Sequence, residues 1–227
     1  DTLTTLRVIS VLGLAGSAAA IFVMVRNATR SAWWGAIATG LFCAAYFAMD
    51  AYLDSAHSDA WLMCCALWGT YLVGRESRGA RMSGIIVLVA AFWFKQHGAV
   101  FCGAALCYLA WREGIRKAAP YWLVAFVLGA VLYVVAPGPL FGPEFHYFTW
   151  KVPGGWSELK GHTFYRVALY VAAYYSVIAL AAVAGVYRSF REKKIGILVV
   201  QLAAAFCTAT MGSLDPGSSY NVLAPMG

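Results

Sequence analysis

The sequence predicts an all-α fold, a polytopic transmembrane helix bundle of about eight membrane segments, and three observations carry that reading. Hydrophobic residues make up 62% of the chain and charged residues only 12%, where an average soluble domain has about 25% charged. Mean hydropathy is +0.69. Apolar runs recur along all 227 residues, so several crossings of about 20 residues each fit and no soluble domain lies between them. The third observation is the alternation of basic and nonbasic connections between those runs.

Runs bounded by charge or by turn residues give spans at about 8–25, 32–48, 60–74, 83–94, 98–111, 119–136, 164–187 and 195–211. Arg7 and Arg26 bound the first, Arg30 precedes the second, and Asp59 and Arg75 bound the third. Lys117 precedes the sixth and Pro137-Gly138-Pro139 ends it, while Arg188 closes the seventh. All of this reads as a single transmembrane domain over 1–227.

Twelve of the Lys and Arg residues fall on one side, in the connections holding Arg26 and Arg30, Arg75 to Arg81, Arg112 to Lys117, and Arg188 to Lys194. Five fall on the other: Arg7, Lys95, Lys151, Lys160 and Arg166. The positive-inside rule therefore makes the first side cytoplasmic and places Asp1 outside, as in a bacterial inner (plasma) membrane protein. An outside start without a signal peptide predicts an earlier span, so the sequence reads as an internal piece of a longer chain.

Met82 to Trp111 can be drawn as one long helix or as a short helical hairpin at 83–111. One helix would put Arg75–Arg81 and Arg112–Lys117 on opposite faces of the membrane, so the charge rule selects the hairpin. Its tip is Phe94-Lys95-Gln96-His97-Gly98, with Gly98 expected to supply the turn. The first arm, 83–94, is too short to cross a hydrocarbon core of about 30 Å, which predicts a tip below the outer surface in a protein-lined or wet cavity. Two readings of Lys95 stand side by side: an intramembrane functional group, or a side chain snorkelling from an ordinary helix end.

Two outer connections carry further candidates. Asp50, Asp54, His57 and Asp59 lie together, and if the preceding helix continues, Asp50 and Asp54 share a face able to gather a metal or a cationic group. A solvated helix end is the competing reading for those two, and for Asp59 it is a capping role toward the N–H groups of Trp61 or Leu62. Pro137 to Thr163 is a long loop thick with aromatics, either lying flat in the headgroup layer or closing as a lid with His146, Lys151, Lys160 or His162 reaching in. Asp215-Pro216-Gly217 is turn chemistry.

The six cysteines all sit in apolar runs, where a thiol behaves as a small hydrophobe, so neither disulfides nor a zinc site is expected. The sequence lacks a phosphate-binding Walker loop, a dinucleotide fingerprint and the HExxH and GxSxG patterns, and its basic residues sit at membrane ends. That excludes nucleic acid as a motivated partner. No cofactor is expected, and a divalent metal is unsupported.

Four segments, in this order, resemble the membrane-embedded C-type glycosyltransferases, in particular the bacterial branch related to protein O-mannosyltransferases and aminoarabinose transferases. Leu6-Arg7-Val8-Ile9-Ser10 is similar to the start of that family's span after its first large outer loop, and Ala56-His57-Ser58-Asp59-Ala60 to an Asp that opens the next span. Phe94-Lys95-Gln96-His97-Gly98-Ala99-Val100 resembles the family's Lys-Gln-x-Gly element at a short hairpin tip and is the most specific match. Gly217 to Pro225 resembles a late turn, with the order of Asn221 and its aromatic neighbour altered.

The resemblance implies transfer of a sugar from a polyprenyl-phosphate-linked donor to an acceptor on the outer face, with membrane lipid as the surrounding partner. Lys95 would hold the donor phosphate, and Gln96 and His97 would orient sugar or phosphate oxygens. Asp59 would be an acceptor-side carboxylate, with Asp54, His57, His146, His162 and Asn221 as further candidates. The family's general base lies in the first outer loop, so it is expected upstream of Asp1. Two other classes stay open, a transporter or flippase for a lipid-linked or small solute and a noncatalytic membrane protein. A transporter would line up polar groups on facing broken helices near the midplane, whereas a scaffold would leave Lys95 at the interface with no cavity.

Overall fold

The structure, a computed structural model, describes residues 2–45, 58–135 and 176–213, with isolated positions between 139 and 173. Every regular element among them is helical. The order is α1 (Thr2–Thr29), α2 (Ala32–Ala44), α3 (Asp59–Val73), α4 (Arg78–Phe94), α5 (Gly98–Glu113) and α6 (Ile115–Ala125). A π-helical turn (Phe126–Val131) continues α6 into α7 (Leu132–Val135), and α8 (Ser176–Arg191) and α9 (Ile197–Ser213) follow. The helices group into two compact units, Asp1–Ala105 and Leu106–Gly227, with the division falling inside α5.

In the first unit α1 packs on α2 and α3, and α3 on α4. Small residues bring the backbones together, as expected where lipid tails are as apolar as leucine and close van der Waals fit drives association. A Cβ at Gly13 would come within 3.0–3.2 Å of Ala60 and Trp61, and one at Gly16 within 2.6 Å of Cys64 Sγ. Gly69 and Gly84 face each other across α3 and α4, each 2.8–3.0 Å from where the other's carbonyl would meet an added methyl. Hydroxyls in these helices turn back on their own backbone, Ser17 to Gly13 O at 3.0 Å and Thr70 to Ala66 O at 2.6 Å, so they bury without an unmet donor. Gly84→Ala is expected to lower stability by about 1–3 kcal/mol, the usual cost of overpacking. Gly40→Ala, with nothing within 4 Å, should raise it by about 0.5–1 kcal/mol. Thermal unfolding of the two variants in detergent checks the contrast, and equal melting temperatures would contradict it.

Contacts fix the helix directions. Trp61 Nε1 donates to Ile9 O at 2.9 Å and Trp68 Nε1 to Gly16 O at 3.0 Å, seven residues on in both helices, so α1 and α3 run parallel. Gly35 packs on Phe22 while Thr39 reaches Ala18 O, so α2 runs antiparallel to α1. Gly84 meets Gly69 and Val73 while Lys95 meets Asp59, so α4 runs antiparallel to α3. This up-and-down order gathers Arg26, Arg30, Arg75, Arg78 and Arg81 at one end and Arg7, Asp59 and Lys95 at the other.

Among the described residues two helical runs are long and apolar enough to cross a membrane, Thr2–Thr29 and Ile115–Val135. Both turn large side chains outward, among them Leu3, Leu6, Val8 and Leu12 on the first and Leu123, Phe126 and Val134 on the second. Such a surface fits a bilayer better than water. The apolar helices α2, α3 and α9 hold 13, 15 and 17 residues, short of a full crossing, so eight complete spans are not drawn by the described residues. The spans expected at 32–48 and 164–187 reach into residues outside those described.

The stretch from Met82 to Trp111 is two helices and not one, broken at Lys95, Gln96 and His97. Its first arm is longer than the sequence predicts. Ser77 caps α4 by accepting from Ala80 N, so Arg78 to Met82 join the helix and 17 residues rise about 25 Å. The shortness that placed the tip below the outer surface therefore does not hold for the whole helix. Gly98 also acts otherwise than expected. Left-handed glycines among the described residues are Gly114 (φ 85°) and Gly142 (φ 89°), whereas Gly98 is needed because a Cβ there would overlap the backbone of Ala91 and Phe92.

In the second unit Gly114 adopts its left-handed conformation at the α5–α6 junction, its N–H bonded to Ala110 O at 3.0 Å. Between α8 and α9 the chain reverses through Lys193 (φ 55°), and the N–H of Lys194 bonds Ser189 O at 2.9 Å.

Candidate functional site

Because α3 starts where antiparallel α4 ends, Asp59 and Lys95 meet although 36 residues separate them. Lys95 Nζ donates to Asp59 Oδ1 at 2.6 Å, with the two side chains 30% and 16% exposed respectively. Each charge sits where helix electrostatics favour it. Asp59 occupies the first turn of α3, beside unpaired N–H groups carrying partial positive charge, and Lys95 follows the last turn of α4, beside carbonyls carrying partial negative charge.

The sequence reading of Asp59 as a cap is modified accordingly. Ser58 holds the N-cap position without a side-chain hydrogen bond, and the Asp59 carboxylate turns to Lys95. Nor does Lys95 reach away alone as a snorkelling chain, because its ammonium is engaged by a carboxylate.

The backbone fixes the tip. Lys95 leaves α4 in an extended conformation (φ −159°, ψ 141°) with its N–H still on Ala91 O at 3.1 Å. Three successive bonds close the turn: Gly98 N to Lys95 O at 2.8 Å, Ala99 N to Gln96 O at 3.0 Å, and Val100 N to His97 O at 3.1 Å. Gln96 and His97 are half-buried. Burial, followed by the neighbouring Lys95 charge, pushes the His97 imidazole below its ordinary value, with Asp59 partly opposing, which favours the neutral ring.

Next to the paired residues in sequence, the rings of Trp61 and Phe94 stack with centroids 5.6 Å apart and planes at 23°. The Trp61 indole is anchored on Ile9 O. Sequence reasoning missed this stack and the direct pairing of Asp59 with Lys95. The signal was present: opposite charges at adjoining ends of consecutive antiparallel helices can pair, and Trp61 and Phe94 lie beside them in sequence.

The structure thus brings together Asp59, Lys95, Gln96 and His97. Asp50, Asp54, His57, His146, His162 and Asn221 lie outside the described residues. Among the described residues no three His, Cys, Asp or Glu side chains gather, and Cys43, Cys64, Cys65, Cys102, Cys107 and Cys207 are free thiols. The cluster offers a cation with three N–H donors, an adjacent carboxylate, an amide and a neutral imidazole. Such a set can bind an oxyanion and accept or relay a proton. No protein-family model, curated protein or solved structure matches the chain.

Proposed function

We propose that the protein is a membrane glycosyltransferase that moves a sugar from a polyprenyl-phosphate-linked donor to an acceptor at the outer face, using the Lys95 tip to hold the donor phosphate. The observation that carries this reading is the convergence, at one end of the α1–α4 bundle, of Asp59 with Lys95, Gln96 and His97. The acceptor hydroxyl attacks the anomeric carbon as a carboxylate takes its proton, the glycosidic C–O bond to phosphate breaks, and polyprenyl phosphate leaves with the bonding pair. Lys95 stabilises that departing charge. Its ammonium has three donors, so it can keep Asp59 on one and give another to a phosphate oxygen. Asp59 then fixes the direction of the ammonium and faces the acceptor side.

Orientation belongs to the same reading: the arginine-rich end lies in the cytoplasm and the Asp59–Lys95 end outside an inner membrane. In a cysteine-free background, Glu76→Cys and Arg191→Cys should resist membrane-impermeant maleimide in intact cells, whereas Gly154→Cys should react. Labelling at Glu76→Cys would overturn the orientation.

A noncatalytic role is the second reading, favoured by the same 2.6 Å contact, since an ion pair between two helix ends also serves as a clamp. The test of function is transfer itself. Vesicles holding the full-length protein and a panel of polyprenyl-phosphate hexoses and pentoses should release polyprenyl phosphate in step with glycosylated acceptor. Absence of release with every donor would favour the clamp.

A further inference from the structure

The second unit holds a cavity of about 580 Å³ that the glycosyl-transfer reading does not use. Tyr108, Trp111 and Arg112 from the last turns of α5 form one wall, and Lys193, Lys194 and Gly196 from the α8–α9 turn form another. Three cations therefore converge on one concavity, and no carboxylate lines it. The nearest acid in the turn, Glu192, is already held by Arg188 Nε at 2.6 Å.

The Arg112 side chain and the backbone carrying the two lysines are held in place. Arg112 Nη1 donates to the Tyr108 hydroxyl at 3.0 Å, and its guanidinium lies 5.9 Å from that ring's centroid, which fixes the plane of the fork. The left-handed Lys193 and the Lys194 N–H bond to Ser189 O fix the turn that carries both lysines. A planar guanidinium beside two ammonium groups is the donor set that phosphate oxygens fit. Exposed apolar side chains border these residues in sequence, Ile115 at 75% and Phe190 at 58% exposure, and Trp111 itself is 64% exposed. Amphipathic rings beside cations at a helix end suit the headgroup layer, and basic pockets of this kind on membrane helices take anionic lipid headgroups.

We infer that this cavity binds the headgroup phosphate of an anionic phospholipid of the surrounding bilayer. The inference needs only that the helices lie in a membrane, and it stands whether or not the protein transfers sugar. The phosphodiester sits among Arg112, Lys193 and Lys194, and the acyl chains run along the exposed apolar faces. A free phosphate would share the cations but gain nothing from those faces.

The experiment is lipid binding by native mass spectrometry and by competition in nanodiscs. The probes are phosphatidylglycerol, phosphatidylcholine and inorganic phosphate, against the wild type, the double variant Lys193→Gln/Lys194→Gln, and Arg191→Gln. The wild type should retain phosphatidylglycerol over phosphatidylcholine by at least tenfold. Each cation removed should weaken it about fivefold, so the double variant should bind about 25-fold more weakly. Arg191→Gln removes a charge from the same helix end but not from the cavity, leaves the Arg188–Glu192 pair intact, and should change binding by less than twofold. Equal loss in Arg191→Gln would show diffuse surface attraction and overturn the site. Competition by inorganic phosphate at the lipid's own concentration would overturn the lipid assignment.

Discussion

Replacing Lys95 with alanine is expected to lower sugar transfer by about 10²- to 10³-fold, the usual effect of removing one preorganised group that meets developing negative charge. Folding should suffer less. The Asp59–Lys95 pair is partly exposed, and its loss falls between the small cost of a surface pair and the several kcal/mol of a buried one, at about 1–3 kcal/mol. Asp59→Asn should cost similar stability but less turnover, because the ammonium remains. The exchange Asp59→Lys with Lys95→Asp separates phosphate binding from clamping. It rebuilds the pair and should recover part of the lost stability, yet each charge then sits at the unfavourable helix end and the cation leaves the tip, so transfer should stay low. Recovery of transfer in the exchanged protein would assign the pair a structural role.

Gly98→Ala is expected to destabilise the first unit by about 3 kcal/mol, the upper end of overpacking costs, and to abolish ordered pairing of Lys95 with Asp59. The reason is local. The new methyl would overlap backbone atoms of Ala91 and Phe92, which cannot rotate aside as a side chain could. Relief requires the α4–α5 turn to move, and Lys95 stands at its first position with its carbonyl bonded to Gly98 N. Gly103→Ala is the matched control, since nothing lies within 4 Å and alanine favours a helix interior by about 0.5–1 kcal/mol. Unfolding in detergent and transfer activity should separate the two variants. Similar values for both would show that position 98 tolerates a side chain.

Helix content and the break at Lys95 were legible because apolar runs and charge alternation report directly on where a chain can cross lipid. Helix ends were less so. Ser77 extends α4 by a capping bond, and a hydropathy pattern does not register a cap placed among arginines. Gly98 illustrates a different gap: sequence shows a glycine at a turn but not whether its backbone angle or its missing side chain matters. The site was half legible. Lys95, Gln96 and His97 stood out as polar residues beside apolar runs, whereas the link to Asp59 depends on the antiparallel packing of α3 on α4 through Gly69 and Gly84. The stack of Trp61 on Phe94 was hidden because aromatics are common at membrane interfaces for reasons unrelated to a site.

The most direct test of the central claim is equilibrium binding of polyprenyl monophosphate to the purified protein, measured for the wild type, Lys95→Ala and the exchanged Asp59→Lys/Lys95→Asp variant. The site predicts saturable binding by the wild type and at least tenfold weaker binding by both variants, with the exchanged protein folded more stably than Lys95→Ala. Unchanged affinity in Lys95→Ala would contradict it and remove the α4–α5 tip from donor recognition.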